Sequence, residues 1–206
     1  MEYEILNYIT DKAKITEEDL NEVNKLYIEL FPDNERDKTL KEILARSEED
    51  NRLQLLIMKA DPLNTGENEV VAFDIIILDE DFVYTVVLGA KKQYGIKMYG
   101  KKLGNYANDV LGKDKYCFFI AEKVEETAEN YNQRRKRNIF FKRNGYIDTG
   151  FEYKMYGVNY EWYVKGKVPS VEEAKKATET VMKVYYNKTL ETFQAWDCLA
   201  SKKFIC

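Results

Sequence analysis

The sequence predicts an α/β fold, a mixed and mostly antiparallel sheet flanked by helices. Three observations predict it. Compact β-branched runs alternate with stretches of helical spacing in the order strand, two helices, three strands, helix, strand, helix, two strands. The 206 residues suit one domain, or one domain with an appendage. Hydrophobic residues make up 45% of the chain, enough for a core, while 33% are charged, too many for a membrane protein. No run approaches the roughly 20 apolar residues that a spanning helix needs.

The opening segment, Glu2–Thr10, reads as extended. Thr16-Glu17-Glu18-Asp19 has the form of an N-cap with an acidic first turn, and Leu20, Val23, Leu26, Tyr27 and Leu30 follow at helical spacing until Pro32. A second helix runs through Leu40, Ile43 and Leu44. Leu53–Ala60, Glu69–Leu78 and Phe82–Leu88 read as a three-stranded antiparallel meander, turned by Pro62, Asn64 and Gly66 and then by Asp79-Glu80-Asp81. Leu103, Tyr106, Ala107, Val110 and Leu111 share one helical face, with Gly112 as the stop. A strand at Tyr116–Ala121 and a basic helix at Asn132–Arg143 follow, the latter with Ile139 and Phe140 expected to turn inward. Tyr146–Tyr156 and Val158–Val164 form a hairpin about Gly157.

Beyond Gly166 and Pro169 the chain changes character. Ser170-Val171-Glu172-Glu173 has capping-box spacing, and no Gly or Pro follows. Val181, Val184, Tyr185, Phe193 and Trp196 would form an apolar stripe on one long helix or two shorter ones. The expected organisation is a domain at 1–166 and a C-terminal helical extension at 167–206. That extension would pack on its own domain or serve as an arm for homodimerisation or another partner.

Composition narrows the chemistry. Three widely spaced cysteines, Cys117, Cys198 and Cys206, argue against a disulfide framework and a zinc site and fit a reducing cytoplasm. The acidic start, without an apolar h-region, does not read as a signal peptide. The chain has no histidine, so proton transfer falls to Glu, Asp, Tyr, Lys, Cys or water, and no metal site is expected. A net charge of −4 does not suggest a general nucleic-acid binder. The basic helix, with Arg134, Arg135, Lys136, Arg137, Lys142 and Arg143, reads mainly as a solvated face.

Residues Ala121–Tyr163 carry a family resemblance. They contain EKVEE at 122–126, ENYNQRRKRNIFFKRNGY at 129–146 and DTGFEYKMYGVNYEWY at 148–163. A Glu-rich strand end, an Asn-x-x-Gln-Arg helix start, an aromatic pair, an Asn-Gly-aromatic stop and a closing hairpin resemble small bacterial members of the GNAT superfamily of acetyl-CoA-dependent N-acetyltransferases. The element order over about residues 1–165 is similar too.

The resemblance implies acetyl-CoA as cosubstrate and a primary amine of a small molecule or peptide as acceptor, with no nucleic acid and no membrane. It implies a fourth strand that bulges from the fifth and offers the backbone of Val86, Val87 and Leu88 to the pantetheine arm. It places the pyrophosphate on the turn and helix start at Tyr94, Gly95, Ile96, Lys97, Met98, Tyr99, Gly100 and Lys101. Aligned on Gly95, the family's usual arginine is Tyr94, and two of its glycines are Lys97 and Tyr99. Lys91, Lys92, Lys97, Lys101 and Lys102 would add charge for the phosphates. Asn132 and Arg135 would touch the cofactor from the basic helix, and Phe141 stands where the family carries a tyrosine acid. Glu122 is the expected general base, with Glu125 and Glu126 as alternatives, and Thr85 stands where some relatives have a strand glutamate. Asp33, Glu35, Asp37, Glu152 and Glu161 would favour a cationic acceptor. The competing expectation is a non-catalytic module that binds an acyl-CoA or a protein partner.

Overall fold

The computed structural model describes residues 2–155, 157–189 and 196–197. Their contacts divide into two units. The first runs to Asp79 and resumes at Thr85–Lys113; the second comprises Glu80–Tyr84 and the chain from Asp114. Hydrogen-bonded strands follow the order β1-β2-β3-β4-β5-β7-β6-β8.

The first unit holds β1 (Tyr3–Asn7), α1 (Glu17–Leu30), α2 (Leu40–Glu49), β2 (Leu53–Ala60), β3 (Glu69–Leu78), most of β4 (Phe82–Ala90) and α3 (Tyr99–Tyr106). β1 and β2 are antiparallel, as are β2 and β3. β1 stops short of the expected Thr10 because Asn7 turns the chain: its amide donates to Asp11 at 3.2 Å and its side-chain oxygen accepts the Ile9 amide at 2.9 Å. Both predicted N-terminal helices begin with a complete capping box, Thr16 with Asp19 and Thr39 with Glu42.

The two faces of this sheet are built differently. Phe73 meets Tyr27 of α1 edge-on at 5.9 Å, and a Cβ at Gly89 would fall 2.5 Å from the Phe73 ring. On the other face α3 comes close, so that a Cβ at Gly100 would lie 3.2 Å from Ala90 and one at Gly104 3.3 Å from Leu88. Asp74 alternates with Phe73 and therefore lies away from α1. Its carboxylate is fully buried and neither oxygen has a hydrogen-bond partner. Burial alone pushes its pKa well above the ordinary 3.8.

The α3 helix passes at Ala107–Leu111 into a π-helical turn, closed by a bond from the Gly112 amide to the Ala107 carbonyl at 2.9 Å. The wider turn rotates the face that regular spacing predicts. Ala107 and Asn108 are buried, while Val110, expected in the core, is 57% exposed.

The second unit holds the start of β4, β5 (Tyr116–Glu122), α4 (Tyr131–Arg143), β6 (Ile147–Met155), β7 (Val158–Lys165), α5 (Val171–Val181) and the short β8 (Trp196–Asp197). β4 and β5 are parallel over three residue pairs, ending at Tyr84 and Phe118. β5, β7 and β6 continue antiparallel. Trp162 stacks on Phe118 with ring centres 4.0 Å apart and planes 7° from parallel. α5 starts with the predicted Ser170–Glu173 capping box and ends in a π-helical turn at Met182–Tyr186. Met182 packs with Met155, Ile120, Tyr160 and Tyr186.

Asn187 adopts a left-handed conformation that ends the helical turn after α5. Trp196, expected on a helical stripe, instead lies in a strand paired with Met155. Phe193 and the rest of the expected helix, at 190–195 and 198–206, lie outside the described residues. On α4, Ile139 and Phe140 point outward, at 41% and 49% exposure, and Phe141 is the aromatic that packs.

Candidate active site

In the second unit, the end of β5 is clamped to α4. Glu122 Oε1 accepts from Arg134 at 3.0 Å, and Oε2 accepts from Arg137 at 2.6 Å and from Asn130 at 3.2 Å. Arg134 also donates to the Lys123 carbonyl and to Asn130. Both Glu122 oxygens are therefore engaged, two of their three donors being cations. Protonation of Glu122 would weaken its pairing with both guanidinium groups. Glu125 accepts from Asn159 at 2.7 Å. Glu126 is exposed.

One residue further along the ladder, Glu161 of β7 stands opposite Ala121 of β5. Glu161 and Tyr163 share a strand face. Tyr163 packs against Phe119 and Phe141, at ring distances of 5.5 and 5.1 Å. Its hydroxyl donates to Glu161 Oε2 at 2.9 Å and accepts from the Asn138 side-chain amide of α4. Burial pushes the tyrosine hydroxyl up, and the Glu161 charge adds to that. Burial likewise raises Glu161, helped by Asp148 and Glu152 and opposed by the Tyr163 hydrogen bond and Lys123. Lys123 is itself held by Glu152 at 2.7 Å.

In the first unit, the segment after β4 forms a 3-10 turn at Lys92–Lys97. Met98 then takes a left-handed conformation, φ 55°, and caps the start of α3 without a side-chain hydrogen bond. The first intrahelical bond runs from the Lys102 amide to the Met98 carbonyl, which leaves the amides of Tyr99, Gly100 and Lys101 at a helix N-terminus. Such amides suit an anion. Only part of the lysine cluster is available to one. Lys91 pairs with Glu69 and Glu22, and Lys97 donates to the Pro62 carbonyl. Lys102 lies over the rings of Tyr3 and Tyr99. Tyr94 donates to Glu69 at 2.6 Å. Lys92 and Lys101 are exposed and carry no ion pair among the described residues.

The predicted residues thus fall into two groups. Val86–Leu88 and Tyr94–Lys101 lie in the first unit; Glu122, Asn132, Arg135 and Phe141 lie in the second. Phe141 sits within an aromatic cluster with Phe119, Tyr146 and Tyr163. Asn132 and Arg135 are exposed on α4. Sequence reasoning missed the Asn138–Tyr163–Glu161 chain, whose one signal was Glu and Tyr two apart on an aromatic strand. No helix among the described residues is long and apolar enough to cross a membrane, and no group of His, Cys, Asp and Glu among them would hold a metal ion.

No family model matches the sequence, and no curated protein matches it significantly. Solved structures do match. A GNAT-family protein from Bacteroides thetaiotaomicron is similar at a TM-score of 0.63 and 12% identity, over 92% of this chain and 100% of that one. An aminoglycoside 6'-N-acetyltransferase complexed with coenzyme A is similar at a TM-score of 0.57 and 12% identity, over 82% and 99% of the two chains. The PaiA N-acetyltransferase of Thermoplasma acidophilum, also in complex with coenzyme A, is similar at 0.54 and 18% identity, over 81% and 100%. The mixed sheet, its strand order and its flanking helices are those of the GNAT acyltransferase fold, and that is the fold of this protein.

Proposed function

We propose that this protein is an N-acetyltransferase that moves an acetyl group from acetyl-CoA to a primary amine of a small molecule or peptide. The observation that carries this reading is the start of α3, a helix N-terminus opened by a left-handed Met98, at the place where the resemblance expects the pyrophosphate. Two of the similar structures hold coenzyme A, which supports the same reading. In this reading the Tyr99, Gly100 and Lys101 amides hold the pyrophosphate, with Lys92 and Lys101 adding charge. The backbone of Val86–Leu88 pairs with the pantetheine amides.

Acetyl transfer needs an oriented thioester, a neutral amine, a stabilised oxyanion and a proton for the departing thiolate. No covalent enzyme intermediate is required. A thiolate is a good enough leaving group that no tyrosine is needed at Phe141.

A second reading, a module that binds an acyl-CoA without turnover, is favoured by one observation: Glu122, Lys91 and Lys97 are all committed to protein partners. One experiment separates the two. Acetyl-CoA and CoA, but not ATP, are expected to raise the thermal midpoint, by an amount that a ligand at 100 times its Kd sets at about 2.7 kcal/mol. An amine panel is then expected to release free thiol from acetyl-CoA. No thermal shift at millimolar acetyl-CoA would sink both readings, and a shift without turnover would leave the second.

A further inference from the structure

The second unit also holds a hydrogen-bonded chain, Asn138–Tyr163–Glu161. Three features set it apart from an ordinary surface carboxylate. First, it is directional. Asn138 donates to the Tyr163 oxygen, so the phenolic hydrogen is aimed at Glu161 Oε2 at 2.9 Å. Second, it is held on a rigid element. Tyr163 is 1% exposed, wedged among Phe119 and Phe141, and Glu161 sits in the β5–β7 ladder opposite Ala121, next to Glu122. Third, one oxygen remains open. Glu161 Oε2 takes the Tyr163 hydrogen bond, while Oε1 has no partner among the described residues.

The contrast with Glu122 decides the assignment. Glu122 has both oxygens bound to donors, two of them guanidinium groups. We propose that Glu161, positioned by Tyr163 and Asn138, is the carboxylate that takes the acceptor's proton, and that Glu122 instead ties α4 to the end of β5. This inference rests on the acetyltransferase reading and names the base for it.

The acceptor ammonium gives one proton to Glu161 and becomes a neutral amine. Its lone pair forms the C–N bond to the thioester carbonyl carbon, and the C–S bond breaks to release the thiolate. A second N–H proton, from the adduct, ends on the thiolate. The proton on Glu161 then passes to solvent, so the net reaction yields the amide, free thiol and one proton.

The surroundings of Glu161 suit the role. From β6 it faces Asp148 and Glu152, and from the end of β5 Lys123, whose charge is shared with Glu152. From α4 it is approached through Asn138, while Arg134 and Arg137 of that helix are turned to Glu122. Burial and the two neighbouring carboxylates raise its pKa, which brings the base towards neutrality, where general-base catalysis gains most. Two carboxylates beside it would also attract a cationic amine.

The test is the pH dependence of kcat/KM for the acceptor that the amine panel identifies. Glu161→Gln is expected to lower kcat/KM by about 100-fold or more and to remove the acidic limb of the profile. Tyr163→Phe removes a hydrogen bond that favours the charged carboxylate, so the limb is expected to move to higher pH; a purely structural role would lower activity without moving it. Glu161→Asp is expected to restore part of the rate. The rise in thermal midpoint with acetyl-CoA, unchanged in Glu161→Gln, shows that the variant is folded. Wild-type turnover with Glu161→Gln within threefold and the same limb overturns this assignment alone. Absence of wild-type turnover overturns it together with the catalytic reading. Loss of the limb in Glu122→Gln but not in Glu161→Gln returns the role to Glu122.

Discussion

Gly89 of β4 stands where a Cβ would lie 2.5 Å from Phe73 Cε1 and 2.9 Å from Leu30. Phe73 is itself wholly buried, against Tyr27, so the ring has nowhere to retreat. Gly89→Ala is therefore expected to destabilise by about 1–3 kcal/mol, the range for overpacking a dense core. Urea unfolding of the variant measures it, and an unchanged midpoint would show that the α1 face is looser than described.

Asp74 should make the protein less stable as pH rises. The buried carboxyl keeps its proton in the folded state, whereas the unfolded chain releases it above the ordinary value of 3.8. Stability is thus expected to fall from about that pH upward, until the folded carboxyl ionises too. Asp74→Val removes the unpartnered group and is expected to stabilise by about 1–3 kcal/mol at neutral pH, with a flatter pH dependence. Thermal midpoints of both proteins across the pH range test this; a steeper slope in Asp74→Val would refute it.

Met98 carries a side chain at φ 55°, where only glycine is unstrained. Elsewhere a glycine would cost roughly 0.5–1 kcal/mol through the unfolded chain. Met98→Gly is expected to be neutral or stabilising instead, since relief of about 1–2 kcal/mol of backbone strain offsets that entropy. A drop in thermal midpoint of several degrees would contradict it.

The clamp on Glu122 gives a separate prediction. Glu122→Gln leaves Arg134 and Arg137 facing an uncharged amide, with the Arg137 Nε already lacking a partner. Each lost charged hydrogen bond is worth about 1.5–3 kcal/mol. Limited trypsin digestion is expected to cut α4 sooner in this variant than in the wild type, and equal rates would show that the clamp does not hold the helix.

The sequence made the fold legible where signals were local. The caps at Thr16 and Ser170 are present as the spacing predicted, and Thr39 supplies a third that was not singled out. It misled where a local irregularity changed the period. The π-helical turn after α3 moved Val110 outward, and α4 turned Phe141 rather than Ile139 and Phe140 to the sheet. Trp196 had helical spacing but gains a strand partner, Met155, about 40 residues away in sequence, which no periodicity records. For the site, the family pattern pointed to Glu122 and to the 94–101 turn. Neither the arginines that occupy Glu122 nor the glutamates that occupy Lys91 could be read from spacing, because both pairings depend on tertiary proximity.

Three helices close their own first turn with a serine or threonine hydroxyl, and α3 does not. The difference will be visible in amide hydrogen exchange. The amides of Asp19, Glu42 and Glu173, each held by its N-cap oxygen, should trade deuterium slowly, while those of Gly100 and Lys101 trade it quickly. The start of α3 is thereby a built-in reporter. Whatever anion settles on it will write its presence as slowed exchange at Gly100 and Lys101, before any substrate has been identified.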